Sequence, residues 1–140
     1  SLLVKCSSDW ILMDYKTRSF ASARDFYNGP DDFSEEKVFD KKLRKIKTFE
    51  PEDEGTQFDV SFVDIDINGH VNNSKYPNFV LNALNLAEGE TIKTFQIDYR
   101  HELRPGDKVT IHSKKEGNII TSLGMNPEGD CMFETQIELA

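Results

Sequence analysis

The sequence has few cysteines and histidines and no long hydrophobic run, and each shortage excludes a class of protein. Its two cysteines, Cys6 and Cys131, lie far apart and lack the CxxC spacing of zinc and redox motifs. We expect both to be buried strand residues in a reducing compartment. The three histidines form no HExxH pair, so neither a metal nor another cofactor is predicted. No apolar run approaches the roughly 20 residues of a membrane-spanning helix, so no membrane contact is predicted.

Positive charge is also scarce, because 17 Lys and Arg stand against 25 Asp and Glu, for a formal net charge of -8. Nucleic-acid binding needs a basic footprint, and this balance argues against it. The chain opens without an initiator Met and without a basic segment followed by an apolar one, so no signal peptide is predicted. Its abrupt start is typical of a fragment. The length of 140 residues fits one domain, or one domain with a piece of another.

The first part of the chain changes character twice. Residues 2–15 are rich in β-branched, aromatic and long apolar residues, which predicts a strand ending at the polar turn 16–18. Charge dominates from 22 to 54, with a possible short helix at 23–27 that Gly29 and Pro30 would stop. We therefore predict a terminal strand over 1–20, a linker over 21–55 and a folded domain over 56–140.

Residues 56–140 combine one helical pattern with several strand patterns. Phe58, Val60 and Phe62 alternate with polar residues, as in a half-buried strand. A wide apolar helix face follows and is closed by Gly89, and Pro77 places the helix start near Asn73 or Ser74. That face contains Tyr76, Phe79, Val80, Ala83, Leu84 and Ala87. Four more alternating runs lie at 95–99, 109–111, 119–123 and 131–139, separated by turn sequences. Short connections favour antiparallel neighbours, so the prediction is an α+β layer with one long helix on one face of an antiparallel sheet.

The loop before the helix carries the polar side chains of greatest chemical interest. Asp66, Asn68 and His70 stand at i, i+2 and i+4, so in an extended backbone their side chains would project to one side. The adjoining helix N-terminus favours negative charge, including charge that develops on an oxygen during a reaction. This combination suits addition of water to an activated carbonyl. The same residues are also ordinary caps and turn formers, and that alternative stays open on the spacing alone.

Residues 66–76 form the run D-x-N-x-H-V-N-N-x-x-Y, which resembles the active-site segment of acyl-acyl carrier protein thioesterases. These enzymes are built from two hot-dog domains. Residues 7–18 are similar to the segment that closes the family's first hot-dog domain, and 98–103 resemble its Tyr-Arg-Arg-Glu-Cys strand. The resemblance implies a hot-dog fold, an antiparallel sheet wrapped around one long central helix. It also implies that 1–20 end a truncated first domain and that 56–140 are the catalytic domain.

The resemblance also implies the roles of individual residues. The catalytic network would consist of Asp66, Asn68, His70 and Glu102. The residues that bind substrate would be Asn72, Asn73 and Tyr76. Leu103 stands where many members of the family have Cys, so a papain-like Cys–His mechanism is not expected unless another thiol substitutes.

The implied reaction, in fatty acid biosynthesis, is hydrolysis of fatty acyl thioesters on an acyl carrier protein, releasing free fatty acid. Whether Asp66 or Glu102 activates water, or Asp66 attacks directly, stays open, as does His70 orienting a carboxylate or protonating the leaving thiolate. Two alternatives are an acyl-coenzyme A thioesterase and a non-catalytic acyl-binding module.

Three residues invite structural interpretations as well. By strand alternation Glu102 shares a face with Asp98 and Arg100, so it could simply pair with Arg100 or Arg104. By the same alternation His101 shares the apolar face of the strand and is predicted in the core or an interface. His112 is predicted at the surface.

The partner implied by the resemblance is an acidic acyl carrier protein, which an acidic chain can attract only through a local basic patch. The densest basic cluster contains Lys41, Lys42, Arg44, Lys45 and Lys47, and we interpret it as a docking patch or as a solvated linker. A homo-oligomer, or pairing with the missing first domain, is possible because the sheet would have an unpaired edge. The expected location is the cytoplasm of a bacterium or the plastid stroma of a plant.

Overall fold

The structure, a computed structural model, describes residues 3–14, 16–17, 19–29, 37–40 and 42–140. Within these ranges every helix is too short or too polar to cross a membrane. The chain divides into two compact units, residues 1–44 and 45–140. The second unit therefore begins inside the predicted linker, and the predicted domain boundaries stay a prediction.

The first unit contains little regular structure. Two short strands, β1 (Leu12–Met13) and β2 (Phe20–Ala21), pair antiparallel, and helix α1 spans Ala23–Phe26. The predicted short helix is thus confirmed, whereas the strand predicted over 2–15 is wrong at 3–11, which form no strand. Leu2, Tyr15, Arg18, Pro30 and Lys41, which belong to predictions above, lie outside the described residues. Cys6 is exposed, contrary to the prediction, as are the other residues from 3 to 14.

The second unit is an antiparallel sheet with one long helix. Its elements are β3 (Thr56–Asp59), α2 (Tyr76–Leu84), β4 (Ile92–Tyr99), β5 (Lys108–Glu116), β6 (Ile119–Met125) and β7 (Cys131–Leu139). The strand order is β3-β5-β6-β7-β4, and every neighbouring pair is antiparallel. The α+β layer predicted from the sequence is confirmed.

One connection differs from the prediction. The short link after β4 does not make β4 and β5 neighbours, because β4 lies at the far edge beside β7. Residues 100–107 instead cross from the β4 edge toward the opposite edge of the sheet. There the Val60 N–H donates to the Asp107 carbonyl. Leu103, in the middle of this crossing, is fully buried. This crossing segment, residues 100–107, brings Glu102 toward the loop before the helix.

Helix α2 packs its apolar side on the sheet. Tyr76, Phe79 and Val80 are buried in one core with strand residues such as Phe133. The Phe133 ring lies so close to Gly124 that a Cβ there would be 2.2 Å from it, so glycine is required at that position. The predicted helix face is confirmed as far as Leu84, where Asn85 adopts a left-handed conformation (φ 44°) and ends the helix. Ala87 therefore lies outside the helix and is exposed, contrary to the prediction.

The helix also begins later than predicted, and the first strand ends earlier. Residues 73–75 form a turn, and α2 begins at Tyr76 with Pro77 in its first turn. Phe62 is 89% exposed in a 3-10 helix, Phe62–Asp64, and does not continue β3. The strand stops because the Asp64 carboxylate accepts bonds from the N–H and the hydroxyl of Ser61.

The face of the sheet opposite the helix is covered by part of the predicted linker. Asp98, Glu134, Leu123 and His112 are successive cross-strand partners and so form one row on this face. At one end of the row the Ile46 N–H donates to Asp98 (3.2 Å), and at the other Asp53 contacts His112 (2.7 Å). Residues 46–53 therefore span the row, and Ile46 is buried against it. We call residues 46–53 the strap.

Three predictions about single side chains change. His112, predicted at the surface, is largely buried beneath the strap. His101, predicted in the core or an interface, is exposed because β4 ends at Tyr99 and the alternation does not continue past it. Cys131 is half-buried rather than buried.

Candidate active site

The loop that contains Asp66 and His70 is a closed bend. Ile65 and Val71 form an antiparallel bridge, and the Asp66 N–H donates to the His70 carbonyl at 2.9 Å. Inside the bend the Asp66 carboxylate accepts the Asn68 N–H at 2.8 Å. The extended backbone on which the predicted convergence of three side chains rested is therefore wrong. One oxygen of the Asp66 carboxylate accepts this bond from the Asn68 N–H, which makes the segment an Asx turn. The Asn68 residue is exposed.

The crossing segment places Glu102 against His70. The Val71 N–H donates to the Leu103 carbonyl at 2.8 Å. Val71 directly follows His70 and Leu103 directly follows Glu102, so this bond holds the two segments side by side. His70 Nε2 lies 3.1 Å from Glu102 Oε2, and the two side chains are 30% and 51% exposed. Arg104 Nη2 lies 3.8 Å from the same oxygen. The structure thus brings together two of the predicted catalytic residues, at a place that water reaches.

Glu102 is not a strand residue, contrary to the strand-face interpretation, because it follows the end of β4. Its expected ion pair with Arg104 is present at long distance, whereas Arg100 pairs with Glu134. That pair is tight, with bonds of 2.6 and 2.7 Å to a carboxylate that is 1% exposed. The bonds to Glu134 raise the pKa of the Arg100 guanidinium.

The three predicted substrate-binding residues lie at the start of α2, each with a contact inside the chain. The Asn72 amide oxygen accepts the N–H and the hydroxyl of Ser74 at 2.9 and 2.8 Å. The Asn73 carbonyl accepts the Tyr99 hydroxyl at 3.0 Å. Tyr76 is buried, and its hydroxyl accepts the Leu103 N–H at 3.1 Å. Substrate contact by these residues stays a prediction.

Burial is the largest cause that raises the pKa of the Tyr76 hydroxyl, and the Glu102 carboxylate adds to it. Burial likewise raises the pKa of Tyr99. Both phenols therefore stay neutral near pH 7 and act as hydrogen-bonding groups. In the part of the chain that the structure describes, no three His, Cys, Asp or Glu side chains are grouped to hold a metal ion.

An imidazole held by a carboxylate can move a proton. A carboxylate that accepts one ring N–H fixes the tautomer and leaves the other ring nitrogen available as a base. The arrangement at His70 and Glu102 has the components for this chemistry. The sequence analysis named Arg104 as a pairing partner of Glu102, but it missed the Leu103 backbone as part of the site. That contact carries no local signal, because it forms only through a long-range crossing.

Comparison with known proteins agrees with the geometry. The family profile of the acyl-ACP thioesterase C-terminal domain matches residues 48–138. No curated protein matches this sequence. Among solved structures, an acyl-ACP thioesterase from Bacteroides thetaiotaomicron is 21% identical with a TM-score of 0.73; the match covers 91% of this chain and 53% of that one. This chain thus spans about half the length of that relative.

Two further structures are similar over a shorter stretch. A probable thioesterase from Escherichia coli is 24% identical with a TM-score of 0.54, covering 61% of this chain and 79% of that one. A Staphylococcus aureus protein solved in complex with CoA is 17% identical with a TM-score of 0.57, covering 61% of this chain and 72% of that one. These likenesses confirm the predicted hot-dog fold. With the profile match over most of its length, the chain belongs to the acyl-ACP thioesterase family and contains that family's C-terminal domain.

Proposed function

We propose that this protein hydrolyses fatty acyl thioesters carried by an acyl carrier protein and releases free fatty acid. The observation that supports this most strongly is the 3.1 Å contact between His70 Nε2 and Glu102 Oε2 at a half-exposed site. Family membership supports the thioester as the bond that is broken. Carrier protein as the leaving group is the more specific part of the proposal.

In the proposed mechanism Glu102 accepts the Nε2–H of His70, and Nδ1 takes a proton from water as the water oxygen attacks the thioester carbonyl. The tetrahedral intermediate collapses with cleavage of the carbon–sulfur bond. The imidazolium then returns its proton to the leaving thiolate, so that a free carboxylic acid and a thiol result. Glu102 holds the ring and stabilises its positive charge during the transfer.

Asp66 and Asn68 have a different part in this proposal. Because Asp66 Oδ1 is bonded to the Asn68 N–H, the carboxylate holds the shape of the bend that presents His70. Direct attack by Asp66 would have to use Oδ2, because Oδ1 is engaged. We favour water as the nucleophile because His70, paired with Glu102, supplies a base for it. We assign to the Asn68 side chain, which is exposed, the donation of a hydrogen bond to the thioester carbonyl.

Comparison of two substrates with the same acyl group tests the leaving group. The full-length protein is assayed for thiol release from the acyl carrier protein thioester and from the coenzyme A thioester. We expect kcat/KM to be at least about tenfold higher with the carrier protein. A higher value with coenzyme A would make the protein an acyl-CoA thioesterase, and binding without turnover of either would make it an acyl-binding module.

The basic cluster offers a second test of the carrier protein. Lys42, Arg44, Lys45 and Lys47 are exposed, while Lys41 lies outside the described residues. Reversing the charges of Lys45 and Lys47 should raise KM for the carrier-protein substrate several-fold at low salt, and less at high salt. KM that does not change would remove this cluster as a docking patch and leave the hydrolytic proposal intact.

A further inference from the structure

The Tyr76 hydroxyl is bonded to the backbone that carries Glu102. Leu103 follows Glu102 directly, and its N–H donates to Tyr76 Oη at 3.1 Å. Leu103 and Tyr76 are both buried, with 0% and 2% of their surface exposed. Water therefore does not compete for this bond, and the Leu103 amide depends on the hydroxyl for its partner.

The other side of Leu103 is bonded to the loop that carries His70. The Leu103 carbonyl accepts the Val71 N–H at 2.8 Å, and Val71 follows His70 directly. Both polar groups of the Leu103 backbone are thus in use, one toward helix α2 and one toward the bend. Leu103 therefore connects the helix residue Tyr76 to the loop that carries His70.

Tyr76 is itself fixed by the core. Its ring meets Tyr99 edge to face, with centroids 5.1 Å apart and an angle of 84°. It meets Phe133 in the same way, at 5.0 Å and 90°. A ring held on two sides gives its hydroxyl one position, so the bond to Leu103 has little freedom to move.

We propose that Tyr76 is a positioning residue for catalysis: its hydroxyl holds the Leu103 amide so that Glu102 stays opposite His70. This inference rests on the proposed thioester hydrolysis by His70 and Glu102. It gives Tyr76 a role in the reaction that needs no contact with substrate.

The test is a double-mutant cycle on the full-length protein. Tyr76→Phe keeps the ring contacts and removes the hydroxyl, and we expect kcat to fall about 10- to 100-fold because Glu102 is displaced. KM should change less than about twofold. In a Glu102→Gln background the same substitution should change kcat less than about twofold, since the group that Tyr76 positions no longer functions. An equal loss of kcat in both backgrounds, or none in either, would overturn the proposal.

Thr135→Val is the matched control, because Thr135 is also fully buried and its hydroxyl has no hydrogen-bond partner among the described residues. This variant should keep the kcat of the parent. A second measurement covers the case in which Tyr76→Phe does not fold. In the unaltered protein the Leu103 amide should exchange its hydrogen as slowly as the core strands, and exchange at the rate of an exposed loop would also overturn the proposal.

His70→Ala, assayed in parallel, separates this inference from the proposed function. If His70→Ala keeps its activity, the catalytic assignment fails and the positioning role fails with it. If His70→Ala is inactive while Tyr76→Phe is unimpaired, the positioning role alone is wrong.

Discussion

Two carboxylates, one on a strand of the sheet and one in the crossing segment, are each paired with a nitrogen-containing side chain. Glu134 binds Arg100 through two bonds of 2.6 and 2.7 Å, and its side chain is 1% exposed. Glu102 contacts His70 through one bond of 3.1 Å, and half of its side chain is exposed. A buried charge needs its ion-pair partner, because an unpaired charge away from water is strongly destabilising. A charged group that water reaches can accept and release protons. The first pair is therefore structural and the second is the candidate for chemistry.

The strap explains why the two pairs differ. It covers the row of side chains that contains Glu134, and Ile46 is buried there. The chain has no similar cover over His70 and Glu102 among the residues described. Breaking each pair separately should therefore damage a different property of the protein.

The largest effect is expected at His70. His70→Gln should lower kcat about 100- to 10,000-fold, because a positioned acid or base typically contributes that much. The thermal unfolding midpoint should change little, since the side chain is partly exposed. Thiol release and circular dichroism measure the two quantities.

The chain offers a matched control for this substitution. His112 also contacts a carboxylate at 2.7 Å, but this carboxylate belongs to Asp53 of the strap, and the His112 side chain is only 12% exposed. His112→Gln should keep kcat within about twofold and affect stability instead. Equal losses of activity in the two variants would contradict the assignment of His70.

The next largest effect concerns stability. Glu134→Gln removes the charge from a buried carboxylate and leaves Arg100 without its ion-pair partner, so the free energy of unfolding should fall by about 2 kcal/mol. This loss of stability is smaller than for a fully buried pair, because the Arg100 side chain is 33% exposed and water can solvate its charge. Denaturant titration measures it. Unchanged stability would show that water enters beneath the strap.

The reactivity of the Cys131 thiol measures how well water is excluded around Glu134. Its thiol lies 3.6 Å from Glu134, and burial, with the adjacent carboxylate, raises its pKa to about 11. At pH 8 the reactive thiolate should be about 100-fold scarcer than for a thiol of ordinary pKa. Iodoacetamide should label the exposed Cys6 first and reach Cys131 only as the pH approaches 11. In Glu134→Gln the rate at Cys131 should rise, and equal labelling of both thiols at pH 8 would contradict the burial.

The smallest effect is expected at a pair on the surface. Lys93 and Glu138 lie 2.7 Å apart, but the lysine side chain is 60% exposed. Lys93→Met should change the free energy of unfolding by less than about 1 kcal/mol, because solvent screens exposed ion pairs. A loss as large as that of Glu134→Gln would show that burial is not what distinguishes the pairs.

Local patterns predicted most of the sheet. Strands β4 to β7 alternate and are separated by turn sequences, so their existence and direction followed from the residues between 92 and 139. The end of α2 was predicted at Gly89, which is the stronger stop signal, whereas the helix ends at Asn85, the next best residue for a left-handed conformation. The burial of Glu134 could not be predicted for a different reason. Alternation places it on the face away from the helix, and nothing local indicates that the strap covers that face.

The pairing of His70 with Glu102 could be predicted through the family resemblance and not through spacing. Spacing indicated a convergence of Asp66, Asn68 and His70 on an extended backbone, and the loop is a closed bend instead. The contact that does form depends on the crossing segment, whose path is set by the burial of Leu103. Such a path is a property of the whole core, which a local pattern does not contain.

The central claim is that His70 and Glu102 act as one unit. Its most direct test compares thiol release by His70→Gln, Glu102→Gln and the double variant of the full-length protein. Residues of one catalytic unit are strongly non-additive, so we predict that the double variant is less than about fivefold slower than His70→Gln. Losses that multiply in the double variant, or full activity in either single one, would contradict the claim.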